Sequence, residues 1–301
     1  MRLSRISLWL LIIILLITNI ATLLWSNVAG EDKYEEVFKE VDAKGILATI
    51  EGTEIKEKQL MQYMAERYGK EALEDLINKE VVYQLAKRNN LVVSDKIIDR
   101  ELARMLVASP KLTDEEKEKQ IKLWKEDIIY RYYLQQLLVS DAEVESTDLE
   151  SYYDTYKNQY NFEEMIQLSH IVVTTEAEAE EVMTKLDNGE RFSDLAELYS
   201  IDESKNRDGY IGFYSQTSSF IPGEYFDLAM DMEVGSYSEP ILTSQGYAII
   251  YMHEHLDAID FTLEEAYEEV AMDLKLEQLP ISLDATSLWD ELEVETIFSK
   301  E

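Results

Sequence analysis

The 301 residues carry 28 Lys and Arg against 62 Asp and Glu, a formal charge of −34, which excludes a nucleic-acid binder of the ordinary basic kind. With 46% hydrophobic residues, 4 Pro and 10 Gly, the composition is that of a folded chain and not of a disordered acidic tail. The absence of cysteine removes disulfides, thiolate metal sites, thiol catalysis and lipid attachment through sulfur.

From Ile6 to Val28 there is no charged residue, a run long enough to cross roughly 30 Å of hydrocarbon. Arg2 and Arg5 precede it, and Glu31, Asp32, Glu35 and Glu36 follow it. The positive-inside rule therefore puts the N-terminus in the cytoplasm and the bulk of the chain outside. The expectation is a single-pass membrane protein held in the lipid bilayer by residues 6–28. The alternative is a cleaved signal peptide, but the run exceeds an h-region of about 7 to 15 residues and Asn27-Val28-Ala29 is a poor cleavage site.

Beyond the acidic stalk, Ile46–Ile50, the Glu51-Gly52 turn and Thr53–Ile55 predict a hairpin. Apolar residues then recur every four positions, at Leu60, Met64 and Tyr68, at Leu73, Ile77, Val81 and Leu85, and at Ile98, Leu102 and Leu106, predicting three amphipathic helices. Ser94 is a candidate cap, and Thr113-x-x-Glu116, Thr147-x-x-Glu150 and Thr262-x-x-Glu265 have capping-box form. Trp124, Ile128 and Tyr132 stripe a long helix, and Tyr152, Tyr153, Tyr156 and Tyr160 read as packing residues on the next one. The texture changes at Met165, where Ile166, Leu168, His170 and Val172 alternate as one face of a strand. Helical runs at 176–187, 193–199 and 223–231 follow, then a closing strand at 246–252. A last helix opens at Thr262 and is stopped by Pro280. The Glu176, Glu178, Glu180 and Glu181 cluster reads as a solvated helix face.

Leu168-Ser169-His170-Ile171-Val172-Val173 resembles the opening strand of a parvulin-type peptidyl-prolyl isomerase. Leu186, Gly189, Phe192, Leu195, Ala196, Tyr199, Ser200 and Asp202 fit that family's next stretch. Gly209, Ile211-Gly212-Phe213, Phe226, Ala229, Gly235, Ser238-Glu239-Pro240 and Thr243-Ser244-Gln245-Gly246-Tyr247 follow in order. Flanking segments at 48–55, 76–82 and 91–95 resemble the helical chaperone module of the PrsA and SurA foldases. The resemblance implies an α+β fold: a parvulin-like domain inserted between the N- and C-terminal helices of an all-α chaperone domain, behind an N-terminal transmembrane helix. Its divisions are 1–30 as the anchor, 31–162 as the helical chaperone domain, 163–256 as the parvulin-like domain, and 257–301 as a C-terminal segment packing on the chaperone domain.

The implied activity is cis–trans isomerisation of X-Pro bonds in exported proteins, a rotation with a barrier of about 20 kcal/mol that breaks no bond. Such a site needs apolar walls and a few hydrogen-bonding groups, with no cofactor and no metal. By the resemblance, His170 and Asp202 form the catalytic polar network, Ile211 and Phe226 line the proline pocket, and Thr243 and Gln245 are the polar substrate-binding positions near the last strand. The implied partners are unfolded or partly folded exported polypeptides.

Two positions depart from the pattern. The family's second histidine is Ala248, and His253, an odd number of residues along the same strand, faces the other way. The methionine or leucine expected four residues before the pocket phenylalanine is Pro222, with Ile221 or Phe220 as alternatives after a loop adjustment. A holdase with a degenerate parvulin domain, and an anchor displaying the domain to a membrane partner, are the competing functions. His253-Glu254-His255 lacks a third defined ligand for a metal.

Overall fold

The computed structural model describes residues 45–140, 142–143, 146–278 and 283–296. The apolar run 6–28, the Thr147 side chain and the Pro280 stop lie outside them. Among the described residues no helix is long and apolar enough to cross a membrane. The chain divides into two compact units, Met1–Val81 with Ala285–Glu301, and Val82–Asp284.

In the first unit, β1 (Ile46–Ile50) and β2 (Thr53–Lys56) pair antiparallel around Glu51 and Gly52, whose φ angles of 48° and 85° suit a tight hairpin turn. Helix α1 (Glu57–Arg88) follows at once, anchored where Glu57 N–H donates to the Gly45 carbonyl. It is one helix of 32 residues where the periodicity predicted two. Gly69 lowers helix propensity but removes no hydrogen bond, and no proline interrupts the run. The stripe expected to be buried is open at Met64 and Tyr68, and Met61, Tyr63 and Leu76 are exposed beside it. A 3₁₀ turn at Ala285–Glu291 buries Leu288 and lets Trp289 Nε1 donate to Asn78 Oδ1 at 2.7 Å.

The second unit begins with the end of α1 and continues through α2 (Asp95–Ala108) and α3 (Asp114–Leu138). Ser94 Oγ accepts from Ile97 N–H, and the Thr113–Glu116 capping box forms in full. Helix α4 (Ser146–Tyr160) is kinked at Tyr156. From there the chain enters a four-stranded antiparallel sheet in the order β4-β3-β6-β5, made of β3 (Met165–Val173), β4 (Tyr210–Tyr214), β5 (Ile241–Thr243) and β6 (Gly246–Leu256). Helices α5 (Glu176–Asp187) and α6 (Phe192–Tyr199) cover one face, packing Val182 and Leu195 on Ile171, Val173 and Ile249. Helix α7 (Gly223–Met230) covers the other, over Ile166, Leu168, Val172 and Ile250. Glu178 caps its own helix through Thr175, so one residue of the predicted solvated acidic face has a structural task.

Phe162 and Ile259 exchange two backbone hydrogen bonds of 2.9 Å where the chain enters and leaves the sheet region. Helix α8 (Leu263–Gln278), opened by the Thr262–Glu265 capping box, then packs Val270, Ala271 and Leu274 with Leu149, Tyr153 and Tyr160 of α4. The contact is locked by a buried charge pair. Arg100 on α2 bonds both carboxylate oxygens of Glu269 on α8, at 2.9 and 2.5 Å, and reaches the Tyr160 carbonyl and the Tyr132 hydroxyl. One helical turn along α8, burial and then the Glu269 charge push the Asp273 carboxyl up from 3.8 to about 7.

A carboxyl raised in the folded state favours the protonated protein. Its contribution to stability is full below pH 3.8 and is lost as the pH rises through about 7. The melting temperature should therefore fall by roughly 2–4 °C between pH 6 and pH 8, and Asp273→Asn should flatten that slope in circular-dichroism melts. Parallel slopes in both proteins would refute this assignment.

Candidate active site

The site is assembled by three local devices around β3. His170 lies in the buried middle of that strand, 8% exposed, because its neighbours Leu168 and Val172 face the core that α7 covers. Ser200, at the end of α6, is bonded to β3 from the side: its hydroxyl accepts from Val172 N–H at 3.1 Å, and Ile201 N–H donates to the Val172 carbonyl. That attachment delivers Asp202 to His170. Asp202 then caps a 3₁₀ turn, Glu203–Arg207, by accepting from Ser204 N–H at 2.8 Å.

The turn ends in two left-handed residues, Asp208 and Gly209, with φ of 60° and 72°. Here the glycine is required by space as well as by backbone angle, because a Cβ on Gly209 would stand 2.5 Å from the His170 carbonyl oxygen. The close approach lets His170 N–H donate to the Gly209 carbonyl at 2.8 Å.

His170 Nε2 lies 3.0 Å from Asp202 Oδ1, in contact but off the best direction of the ring N–H. Partial burial raises the Asp202 carboxyl, but hydrogen bonding from Ser204 and the neighbouring His170 outweigh it and hold the group at about 2. Asp202 is therefore ionised throughout the neutral range. On the other side of the ring, His170 Nδ1 is 3.2 Å from the Tyr225 hydroxyl, with the two rings edge to face at a centroid distance of 5.9 Å. Burial, with the Asp202 charge behind it, pushes the Tyr225 phenol upward, so it stays protonated.

His170 and Asp202 are thus brought together, and Ile211 and Phe226 lie in or against the same apolar core as Tyr225. Tyr225, which the sequence reading passed over, is the α7 aromatic that touches His170. Ile221 stands four residues before Tyr225 and packs on the same core, so the four-residue spacing sought from Phe226 is met from its neighbour. Phe226 itself, one residue on and about 100° around the helix, lines a groove of about 390 Å³ with Asn158, Phe162, Ser215 and Thr217. Thr243 uses its hydroxyl inside its own turn, donating to the Gly246 carbonyl and accepting from Gln245 N–H, and the Gln245 side chain is exposed. Among the described residues neither hydrogen-bonds His170 or Asp202.

Ala248 is fully buried on β6, opposite Val172. His253 accordingly turns to the other face of the sheet, 2.7 Å from Ser169 Oγ, where burial and then Lys111 push it down to about 4. A register shift between β3 and β6 breaks the alternation next to it, so His255 takes a separate partner, Glu164 Oε1 at 2.9 Å. Ligand atoms of Glu164, His255 and Asp257 lie within 4.8 Å of one another, the one group among the described residues that could hold a metal ion. The two histidines of the His-Glu-His run do not converge.

A family profile described as rotamase, the PPIC-type PPIase domain, matches residues 170–254, the stretch that contains His170, Asp202 and Tyr225. Over 256 residues the chain is 34% identical to YacD of Bacillus subtilis strain 168, with 84% of this chain and 86% of that one covered. The chain belongs to the PrsA-like foldase family of peptidyl-prolyl isomerases. A second relative of this PrsA-like foldase is the foldase protein PrsA of Geobacillus kaustophilus, 32% identical over 243 residues with 79% of each chain covered. Among solved structures, PrsA from Bacillus subtilis aligns with 24% identity and a TM-score of 0.31, covering 85% of this chain and 97% of that one.

Proposed function

We propose that this PrsA-like foldase is an extracytoplasmic peptidyl-prolyl isomerase, tethered to the cell membrane by residues 6–28 and acting on unfolded or partly folded exported polypeptides. The observation that carries the reading is the His170–Asp202 pair, held beside an aromatic ring at the centre of the sheet. An amide twisted out of plane has lost its resonance, and a site that binds it better than either planar form lowers the barrier without covalent chemistry. Ile211 and Phe226, packed on the core beside the pair, supply apolar surface for a proline ring. Asp202, with its side chain 28% exposed, keeps a fixed negative charge next to an imidazole that presents the polar edge. The uncharged run 6–28 between Arg5 and Glu31 supports the tether and its orientation. The resemblance supports an inserted arrangement of the sheet domain between helices, as does the seating of α8 on α4.

Full-length protein in mild detergent should speed cis-to-trans relaxation of a proline tetrapeptide in a protease-free assay. His170→Ala and Asp202→Ala should each lower kcat/KM about tenfold or more, equivalent to about 1.4 kcal/mol of transition-state stabilisation. Relaxation at the thermal rate would refute the activity.

A second reading, a holdase without catalysis, is favoured by one observation: Met61, Tyr63, Met64, Tyr68 and Leu76 are exposed along α1. It is supported if suppression of client aggregation survives His170→Ala. It is refuted if stoichiometric protein leaves aggregation unchanged.

A further inference from the structure

We propose that Tyr225 is a positioning residue for the isomerase site, its hydroxyl holding His170 in one orientation and one tautomer, the task left open by Ala248. This inference rests on the isomerase reading of His170 and extends it to a residue that neither the family resemblance nor the sequence singled out. Tyr225 is 1% exposed, and its ring is wedged in the core that also contains Ala248 and Ile250. Its hydroxyl is 3.2 Å from His170 Nδ1, and the 80° angle between the rings brings an edge against a face.

The direction of that hydrogen bond follows from the far side of the imidazole. A carboxylate offers only lone pairs, so a proton on Nε2, 3.0 Å away though not aligned on it, avoids the repulsion a bare nitrogen would meet there. Nδ1 is then the unprotonated nitrogen, and the phenol, which stays neutral, donates to it. Nδ1 has no other partner among the described residues. The imidazole is held between an anion and a hydroxyl.

Position 248 bears on this chemistry by geometry. On β6, Ala248 and Ile250 point to the same face, and Ile250 is the direct register partner of His170. An imidazole at 248 would therefore emerge one side-chain repeat along the strand from His170, on its own side of the sheet. Alanine leaves that face to be filled from α7, where Tyr225 carries a polar atom at the tip of a large apolar ring.

The test uses the full chain labelled with ¹⁵N at histidine, which gives only three imidazoles to assign. The wild-type spectrum should show His170 as the Nε2–H tautomer with an unprotonated Nδ1. Tyr225→Phe, which removes one oxygen atom and keeps the ring, should mix the tautomers and lower kcat about fivefold with little change in KM. Tyr225→Phe combined with Ala248→His should recover at least half of the lost rate. A wild-type His170 protonated at Nδ1, or a Tyr225→Phe protein with unchanged tautomer and rate, overturns the proposal. If the phenylalanine variant does not fold, the wild-type tautomer still decides it. A wild-type protein with no isomerase activity but with the Nε2–H tautomer lost on Tyr225→Phe would sink the isomerase reading and leave the positioning contact established.

Discussion

Arg100→Ala should destabilise the protein by about 3–5 kcal/mol, the largest effect expected of any single truncation here. Arg100 is completely buried, and it reaches α8 and the end of α4 from α2 through Glu269 and the Tyr160 carbonyl, and α3 through Tyr132. Its removal leaves the Glu269 carboxylate, 8% exposed, with only the Tyr132 hydroxyl, at 2.6 Å, as a hydrogen-bond partner among the described residues. The expected loss comes from that stranded charge more than from the attraction itself, since a buried pair repays much of its own desolvation. Two measurements separate the terms. Urea denaturation of Glu269→Ala should show a loss of similar size, whereas Arg100→Met with Glu269→Leu should recover most of it. A loss under about 1 kcal/mol in either single variant would show that water reaches the pair.

Gly209→Ala should come next, with a loss of roughly 2–4 kcal/mol and a collapse of any isomerase activity. At φ +72° an alanine is strained, and its Cβ also meets the His170 carbonyl oxygen at 2.5 Å and Ala196 Cβ at 3.0 Å. Either β3 must shift at His170 or the turn carrying Asp202 must withdraw, and both lengthen the contact between them. Gly212→Ala provides the comparison, because its φ is +103° but nothing lies within 4 Å of the added atom. Thermal melts and the proline-peptide assay on both should show a modest loss for Gly212→Ala and a severe one for Gly209→Ala. Equal effects would mean that backbone strain alone governs both positions.

Much of the architecture was legible because local chemistry decides it. Thr113 and Thr262 form their capping boxes, Glu51-Gly52 turns the hairpin, and the alternation around His170 marks a buried strand. Asp202 was legible as well, since the Tyr-Ser-x-Asp spacing carries it to the strand through Ser200. What escaped depends on contacts distant in sequence or on a one-residue phase. Arg100 and Glu269 are separated by 169 positions, and nothing in either neighbourhood marks them as a pair. Tyr225 and Phe226 are adjacent aromatics, both buried, and only the packing of α7 on the sheet selects which one meets His170. The register shift in β6 cancels the period-two rule between His253 and His255. The two stripes, Leu60 to Tyr68 and Leu73 to Leu85, read as two helices because their phases differ, yet a change of buried face does not break a helix and α1 continues through it.

The paired crossing at Phe162 and Ile259 has a mechanical meaning. Because the bridge is antiparallel, the two outer ends leave it from the same side, so a pull on the polypeptide from outside must first peel those two hydrogen bonds and the seat of α8 on α4. The strands that hold His170 take the load only after that crossing opens. Tension on the two ends thus opens the crossing before it draws the His170 geometry out of shape.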